Sequence, residues 1–269
     1  MVEPVTTVGL GAIAAYLSKD GVAKLLGPTA DYLGGGLRDF AKERIDNIGK
    51  IFESAGKKLG PKLEIPGQVP PKVLKTIMNE GSYADNNIAT EYFGGILASA
   101  RTEHGRDDRS ARIARTLDSL TTYQLRAHYL IYASIRKIFL DNRLSLNREG
   151  REKMRVFIPL SDYITAMDFN EDELAQFNQL LSHVFFGLVN ESLIDSNMNY
   201  GPQESMVESF SGAGDAGIIC GPSVQGAELF MSAFGYATLP LESIFDKNLV
   251  FEIDGVPDGF ATSASILNT

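Results

Sequence analysis

A chain of 269 residues, 44% hydrophobic and 22% charged, is long enough to bury a sizeable core and has the composition of a globular protein rather than a disordered one. Its single cysteine, Cys220, excludes an intramolecular disulfide framework and fits a reducing compartment. The formal net charge of −9 is unevenly spread, with 21 Lys and Arg against 17 Asp and Glu in residues 1–150, and 4 against 17 in residues 151–269. Nucleic acid binding needs several phosphates neutralised, so the second half is a poor candidate for it and an anionic partner is expected at the first half. The N-terminus lacks a basic region followed by an apolar core and a small-residue cleavage site, and no apolar run approaches the ~18 residues of a spanning helix. The expected location is cytoplasmic, peripheral to the inner membrane if residues 1–60 meet lipid.

In chain order, residues 5–26 read as a helix of small and apolar residues, weakened at Gly21 and closed by Pro28. A second helix runs from about Thr29 to Leu59, where Leu37, Ala41, Ile45, Ile48, Phe52, Ala55 and Leu59 alternate steps of four and three. Gly60 to Pro71 holds four prolines and reads as a connector. A short helix over Lys72–Glu80 follows, stopped by Gly81. Ser82 with Asp85 resembles a capping box for a helix to about Arg101. Gly94-Gly95 in the middle of that helix costs ~1 kcal/mol per glycine, which points to close approach of a neighbouring helix. Further helices are expected from about Asp107 to Leu120 and, after a Thr121–Gln124 capping box, to Leu140.

Beyond residue 150 the pattern changes. Val156-Phe157-Ile158 reads as a short strand. Asn170 and Glu173 cap a helix carrying Leu174, Phe177, Leu181, Val184 and Leu188. A polar loop spans Ser196 to Gly217, Ile218-Ile219 reads as a strand, Ser223 caps a helix, and Leu249–Ile253 as a last strand. The expected fold is mainly α: a helical bundle with an N-terminal amphipathic arm (1–60), a proline-rich connector (61–71), a helical core (72–150) and an acidic α+β, winged-helix-like unit (151–269).

The sequence carries no phosphate-binding glycine loop, dinucleotide fingerprint, nucleophile elbow or paired-histidine zinc motif. Cys220 has no second cysteine for zinc, and no catalytic residue, metal site or cofactor is expected. His128 and His183 fall on or beside apolar helix faces and read as structural, and His104 reads as a surface residue. Glu171-Asp172-Glu173 and Asp107-Asp108 sit at helix starts, where carboxylates favour the free amides.

The basic cluster Arg101, Arg106, Arg109, Arg112 and Arg115 is the candidate binding site. Such a stripe suits phosphate, an anionic lipid head or an acidic partner surface, the alternative being a solvated helix face paired to Glu103, Asp107, Asp108 and Asp118. Residues 1–60 read either as a two-helix oligomerisation arm or as an amphipathic hairpin that lies on a membrane. Their polar face mixes both charges, which favours helix packing.

Several stretches occur in an order that matches a known pattern: Val69-Pro70-Pro71-Lys72-Val73-Leu74, Glu80-Gly81-Ser82, Asp85-Asn86, Tyr92 to Ala100, and Leu117-Asp118-Ser119-Leu120-Thr121 with Gln124. Over Val69 to Tyr132 the chain resembles the Abi-alpha (abortive infection alpha) family of bacterial proteins. Leu26-Gly27-Pro28-Thr29-Ala30 resembles the family's opening. Leu180-Leu181 with Gly187-Leu188-Val189, and Gly221-Pro222-Ser223 with Gly226, Leu229, Phe230 and Gly235, resemble its closing pattern, loosened by the Ser196–Gly217 insertion. The similarity covers most of residues 24–236. It implies a role in bacterial defence against phage, in which infected cells stop growing or die before progeny emerge, and it implies no active site.

The expected function is therefore a non-enzymatic defence effector or sensor acting through protein assembly, with membrane perturbation by residues 1–60 as a further branch. The alternative is a nucleic-acid-binding regulator using the basic half. The expected partners are a second copy of the chain, a phage-derived or co-encoded protein, and an anionic membrane surface, with nucleic acid disfavoured.

Overall fold

The heptad-like stripe of the second expected helix becomes α1, Gly34–Leu59. The computed structural model describes residues 34–141 and 144–260, with side chains from Lys42 onward; the helix expected over residues 5–26 lies outside the described residues. In α1 the residues Ile48, Ile51, Phe52, Ala55 and Leu59 are buried. Each large apolar side chain so removed from water contributes about 1.5–3 kcal/mol before entropy is counted. The C-terminal half of α1 is thus part of the core of the first unit.

By their contacts the described residues form two compact units, one of residues up to Asp118 with Ser232–Tyr236, the other of Ser119–Met231 and the chain from Ala237. In the first unit α1 packs on α3, Asn87–Ala100, and α2, Pro71–Glu80, packs on α4, Ser110–Asp118. Helix α3 is buried nearly all round, as its apolar composition requires. Its glycines explain themselves by close approach. A Cβ on Gly94 would lie 2.6 Å from Ser54 Cβ of α1, and one on Gly95 would lie 2.8 Å from Ala233 Cα and nearer still to the Ala233 carbonyl. Beside them Lys58 pairs with Glu91, and Ser54 Oγ donates to the same carboxylate at 2.9 Å.

The start of α3 differs from expectation. Asn86, not Ser82, is the N-cap, its side chain accepting from Ala89 N at 2.8 Å. Ser82 instead receives Arg44 Nη2 at 2.7 Å and donates to Asn79 O.

In the second unit α5, Thr122–Phe139, is the buried centre, opened by the expected Thr121–Gln124 capping box. Against it pack α7 (Leu160–Met167) and α9 (Phe177–Asn190), and the unit also holds α6 (Arg148–Lys153), α8 (Glu171–Ala175), α10 (Gln203–Ser209) and α11 (Val224–Ala233), whose last residues fall in the first unit. Three short strands, β1 Val156–Pro159, β2 Asn199–Gly201 and β3 Gly217–Cys220, form an antiparallel sheet in the order β1-β3-β2. Val156 faces Cys220 and Asn199 faces Ile219 across the central strand. Phe157, Met206, Phe210, Ala213 and Ile219 make the apolar cluster that holds α10 to the sheet. The chain is therefore mainly helical with a small antiparallel sheet.

Three expectations in this unit are corrected. The helix from Asn170 breaks at Gln176 into α8 and α9, so the capping box opens only a short helix and Leu174 is left 41% exposed. The loop Ser196–Gly217 contains β2 and α10. Leu249–Ile253 is not a strand: Arg136 Nη2 donates to Leu249 O at 2.8 Å and Tyr129 donates to Phe251 O at 3.4 Å. Side chains of α5 thus satisfy backbone carbonyls that a strand would have paired.

Candidate functional site

The five arginines of the basic cluster fall into three kinds of environment. Arg101, just past the end of α3, is half-buried. Its guanidinium donates to Lys62 O at 2.9 Å, Leu63 O at 3.4 Å and Ile65 O at 2.5 Å. It clasps the connector 62–67, where Gly67 leaves room for the guanidinium. A planar head with five fixed donors suits a turn of clustered carbonyls. Arg101 is thereby committed to the fold.

Arg109 is committed to a neighbour. Its Nε lies 2.9 Å and 3.0 Å from the Asp107 oxygens and its Nη2 lies 2.6 Å from Oδ2. That hydrogen-bonded guanidinium, helped by the Arg109 amide, holds the Asp107 carboxyl below the usual range. Asp108 is paired at 2.7 Å with Lys72 of α2, not with an arginine.

Arg106, Arg112 and Arg115 are exposed, and their side chains have no hydrogen-bond or ion-pair partner among the described residues. Helix α4 buries Ser110, Ala111, Ala114 and Leu117, so Arg112 and Arg115, three apart, share its solvent face. The part of the cluster left to meet a partner is thus three exposed positive charges, two of them on the solvent face of α4. It can bind carboxylates or phosphates by charge-assisted hydrogen bonds, and it offers no acid, base or nucleophile.

A second feature was hidden in the sequence. Tyr123, at the start of α5, donates to Glu173 Oε1 at 2.5 Å, and its ring meets Phe169 at 6.0 Å; Phe169 meets Phe177 edge-on at 6.3 Å. Glu173 is held below the ordinary carboxylate range by Tyr123 first and the Asn170 amide second. On the same short helix as Glu173, Leu174 is exposed, as are Glu171 and Asp172. The sequence does contain the capping box and the acidic run, but the exposure of Leu174 follows only from the break at Gln176.

His128 takes the structural place expected for it, whereas His183, read as structural beside an apolar helix face, is exposed. His128 is fully buried, 4.7 Å from the Tyr132 ring, with Nε2 3.1 Å from Gly226 O, so that nitrogen carries the proton. Burial lowers its pKa to about 3. His183 Nε2 lies 3.2 Å from Thr121 Oγ1 at the cap of α5, and His104 is exposed. Cys220 is buried, and burial pushes its thiol well up, away from nucleophilic use.

Among the described residues no group of three or more His, Cys, Asp or Glu is placed to hold a metal ion. A mixed-charge depression of about 340 Å³ lies over α1, lined by Lys42, Glu43, Asp46, Asn47, Lys50 and Asp85. No described helix is long and apolar enough to cross a membrane. No family model, no curated protein and no solved structure matches the chain.

Proposed function

We propose that this chain is a non-enzymatic protein of bacterial phage defence that acts as effector or sensor through protein assembly. The observation that carries the mode of action is the exposed arginine set Arg106, Arg112 and Arg115, a charged surface without partners among the described residues. The process is supported by the Abi-alpha resemblance over Val69 to Tyr132. The residues carrying it have structural tasks: Pro71 opens α2, Gly94 and Gly95 admit neighbours, and Thr121 with Gln124 caps α5. The resemblance therefore bears on scaffold and process, not on a reaction.

The membrane branch of the reading narrows to the chain before α1's buried half. Inserting Ile48–Leu59 into lipid would empty the core of the first unit. Dye leakage from anionic vesicles tests what remains of that branch, and neither leakage nor flotation by the full chain removes it.

The test of the main reading is phage plating efficiency on bacteria expressing the full chain, with culture survival at low and high phage load. Protection at low load with culture collapse at high load is the expected result. Absence of protection across a broad phage panel counts against it. A nucleic-acid-binding regulator is the second reading, since the same three arginines suit phosphate. Salt-sensitive binding to random DNA, lost in Arg112→Glu/Arg115→Glu, is the result that would favour it.

A further inference from the structure

The small sheet leaves one backbone edge open. In the order β1-β3-β2 the outer strands are β1 and β2. Strand β1 is buried over its first three residues and ends in Pro159, which has no N–H to offer. In β2, by contrast, Asn199 is exposed and Tyr200 and Gly201 are half-buried. The register identifies which of its groups are unused. Leu160 N donates to Ala216 O at 3.0 Å, which makes Leu160 and Ala216 a hydrogen-bonded pair, and bonded pairs alternate from there along β1 and β3. Ile158 and Ile218 are the next bonded pair, so Ile218 turns its N–H and C=O towards β1. On its other side β3 bonds β2 through Ile219 and Gly217, opposite Asn199 and Gly201. Tyr200, opposite Ile218, therefore points its N–H and C=O away from β3. Neither group has a partner among the described residues.

The segments beside that edge are uncharged. No Asp, Glu, Lys or Arg occurs between Glu173 and Glu191, a stretch that holds all of α9, or between Asp195 and Glu204, a stretch that holds β2. Phe186 of α9 is 54% exposed, and its ring meets the Tyr200 ring edge-on at 6.1 Å. The Tyr200 hydroxyl is fixed by Ser182 Oγ of the same helix at 2.7 Å. Exposed aromatic surface without charge is the composition of an interface centre, and here it adjoins open backbone groups.

We propose that β2 pairs edge to edge with β2 of a second copy of this chain, with Tyr200 opposite its counterpart across a two-fold axis. A strand paired antiparallel with its own copy is in register by symmetry, and the two Tyr200 residues exchange both bonds. The axis stands perpendicular to the sheet, so α9 of both copies lies on one side and the Phe186 rings approach each other. The proposal deepens the assembly reading, on which its functional meaning rests, and uses residues other than the α4 arginines. Two copies of net charge −9 repel, and the uncharged face is where two acidic second halves approach at least cost. A foreign extended peptide is the weaker occupant, because so short an edge gives a lone strand few backbone bonds, whereas a second copy brings a helix face with its strand.

The test is sedimentation velocity on the purified full chain over a concentration series at ~0.1 M and ~1 M NaCl, between which the Debye length falls from ~10 Å to ~3 Å. Concentration-dependent dimerisation is the expected result, no weaker at the higher salt, because the contact holds no ion pair and the repulsion between copies is screened. Phe186→Asp sets like charges across the axis and should weaken dimerisation at least about tenfold. Tyr200→Pro removes the edge N–H without touching a bond to β3 and should weaken it comparably. If far-UV circular dichroism shows that Tyr200→Pro does not fold, hydrogen exchange of the wild-type Tyr200 amide takes its place: slower exchange in the dimer than in the monomer is expected, and equal exchange overturns the pairing. A chain that is monomeric at both salts also overturns it and leaves the edge to solvent or to another protein's strand. So does a dimer that salt dissociates, or one that either folded variant leaves intact. Dimerisation of a chain that gives no protection against phage supports the contact and sinks the defence reading; protection by a strictly monomeric chain does the opposite.

Discussion

Three glycines in helices of the first unit make one chemical change with opposite expected signs. Gly56 in α1 is half-exposed, and a Cβ added there meets nothing within 4 Å. Gly56→Ala should therefore gain the helix-propensity difference, about 1 kcal/mol. Gly95→Ala gains the same ~1 kcal/mol but drives its methyl into the carbonyl of Ala233, a backbone group that cannot rotate away. Overpacking costs about 1–3 kcal/mol, and a backbone obstacle puts this site at or beyond the upper end, for a net loss of about 2 kcal/mol. Gly94→Ala falls between, since its Cβ meets Ser54 Cβ at 2.6 Å and the Ala55 nitrogen at 3.1 Å. Thermal unfolding followed by far-UV circular dichroism reads these directly, at roughly 2–4 °C per kcal/mol for chains of this size class. The midpoint should rise by a few degrees in Gly56→Ala and fall by about 4 °C or more in Gly95→Ala. Equal midpoints for Gly95→Ala and the wild type would refute the close approach of α3 to Ala233.

Two further predictions concern buried polar groups in the second unit. His128 is neutral in the fold with its pKa lowered to about 3, whereas an unfolded histidine titrates near 6.5. Between those values the unfolded chain binds the extra proton, so stability is full above about pH 6.5 and falls as the pH drops toward 3. At pH 4.5 the loss is about 3 kcal/mol. His128→Gln keeps a donor for Gly226 O without the proton-binding site, and urea unfolding at pH 7 and 4.5 should show that much less acid sensitivity; an unchanged difference refutes the assignment. The Tyr163 hydroxyl is buried among Phe169, Phe177, Phe185 and Phe260 and has no hydrogen-bond partner among the described residues. Tyr163→Phe should be neutral or stabilising by up to about 1–3 kcal/mol, and a clear loss in urea unfolding would reveal a partner for that oxygen.

The fold was legible wherever a signal is local. The Thr121–Gln124 box, the Asn170–Glu173 box and the proline-opened α2 follow from side chains that bond within four residues. Gly94-Gly95 was legible because two glycines inside an apolar helix need a reason, and the reason lies in Ser54 and Ala233. Legibility failed where the deciding partner is distant. Nothing local says that Arg136 and Tyr129 take the carbonyls of Leu249 and Phe251, which is why an apolar run there reads as a strand. Likewise Ser82 looks like a cap until Arg44, 38 residues away, is seen to hold it.

The same distinction governs the candidate site. Five arginines within fifteen residues are visible in any reading of the sequence, but a list of charges does not say which are already spent. Arg101 binds the carbonyls of the connector and Arg109 binds Asp107, so what remains is set by contacts of very different range. The surface at α8 arises the opposite way. Its acids are explained locally as helix-start residues, and the bond that holds Glu173 becomes visible only when Tyr123, 50 residues before it, is placed. A surface composed of residues each with an adequate local explanation is still a surface, and its exposed leucine is the part that no local rule accounts for. The free arginines present the matching case: α4 needs its alanines and Leu117 to pack, and needs none of its arginines.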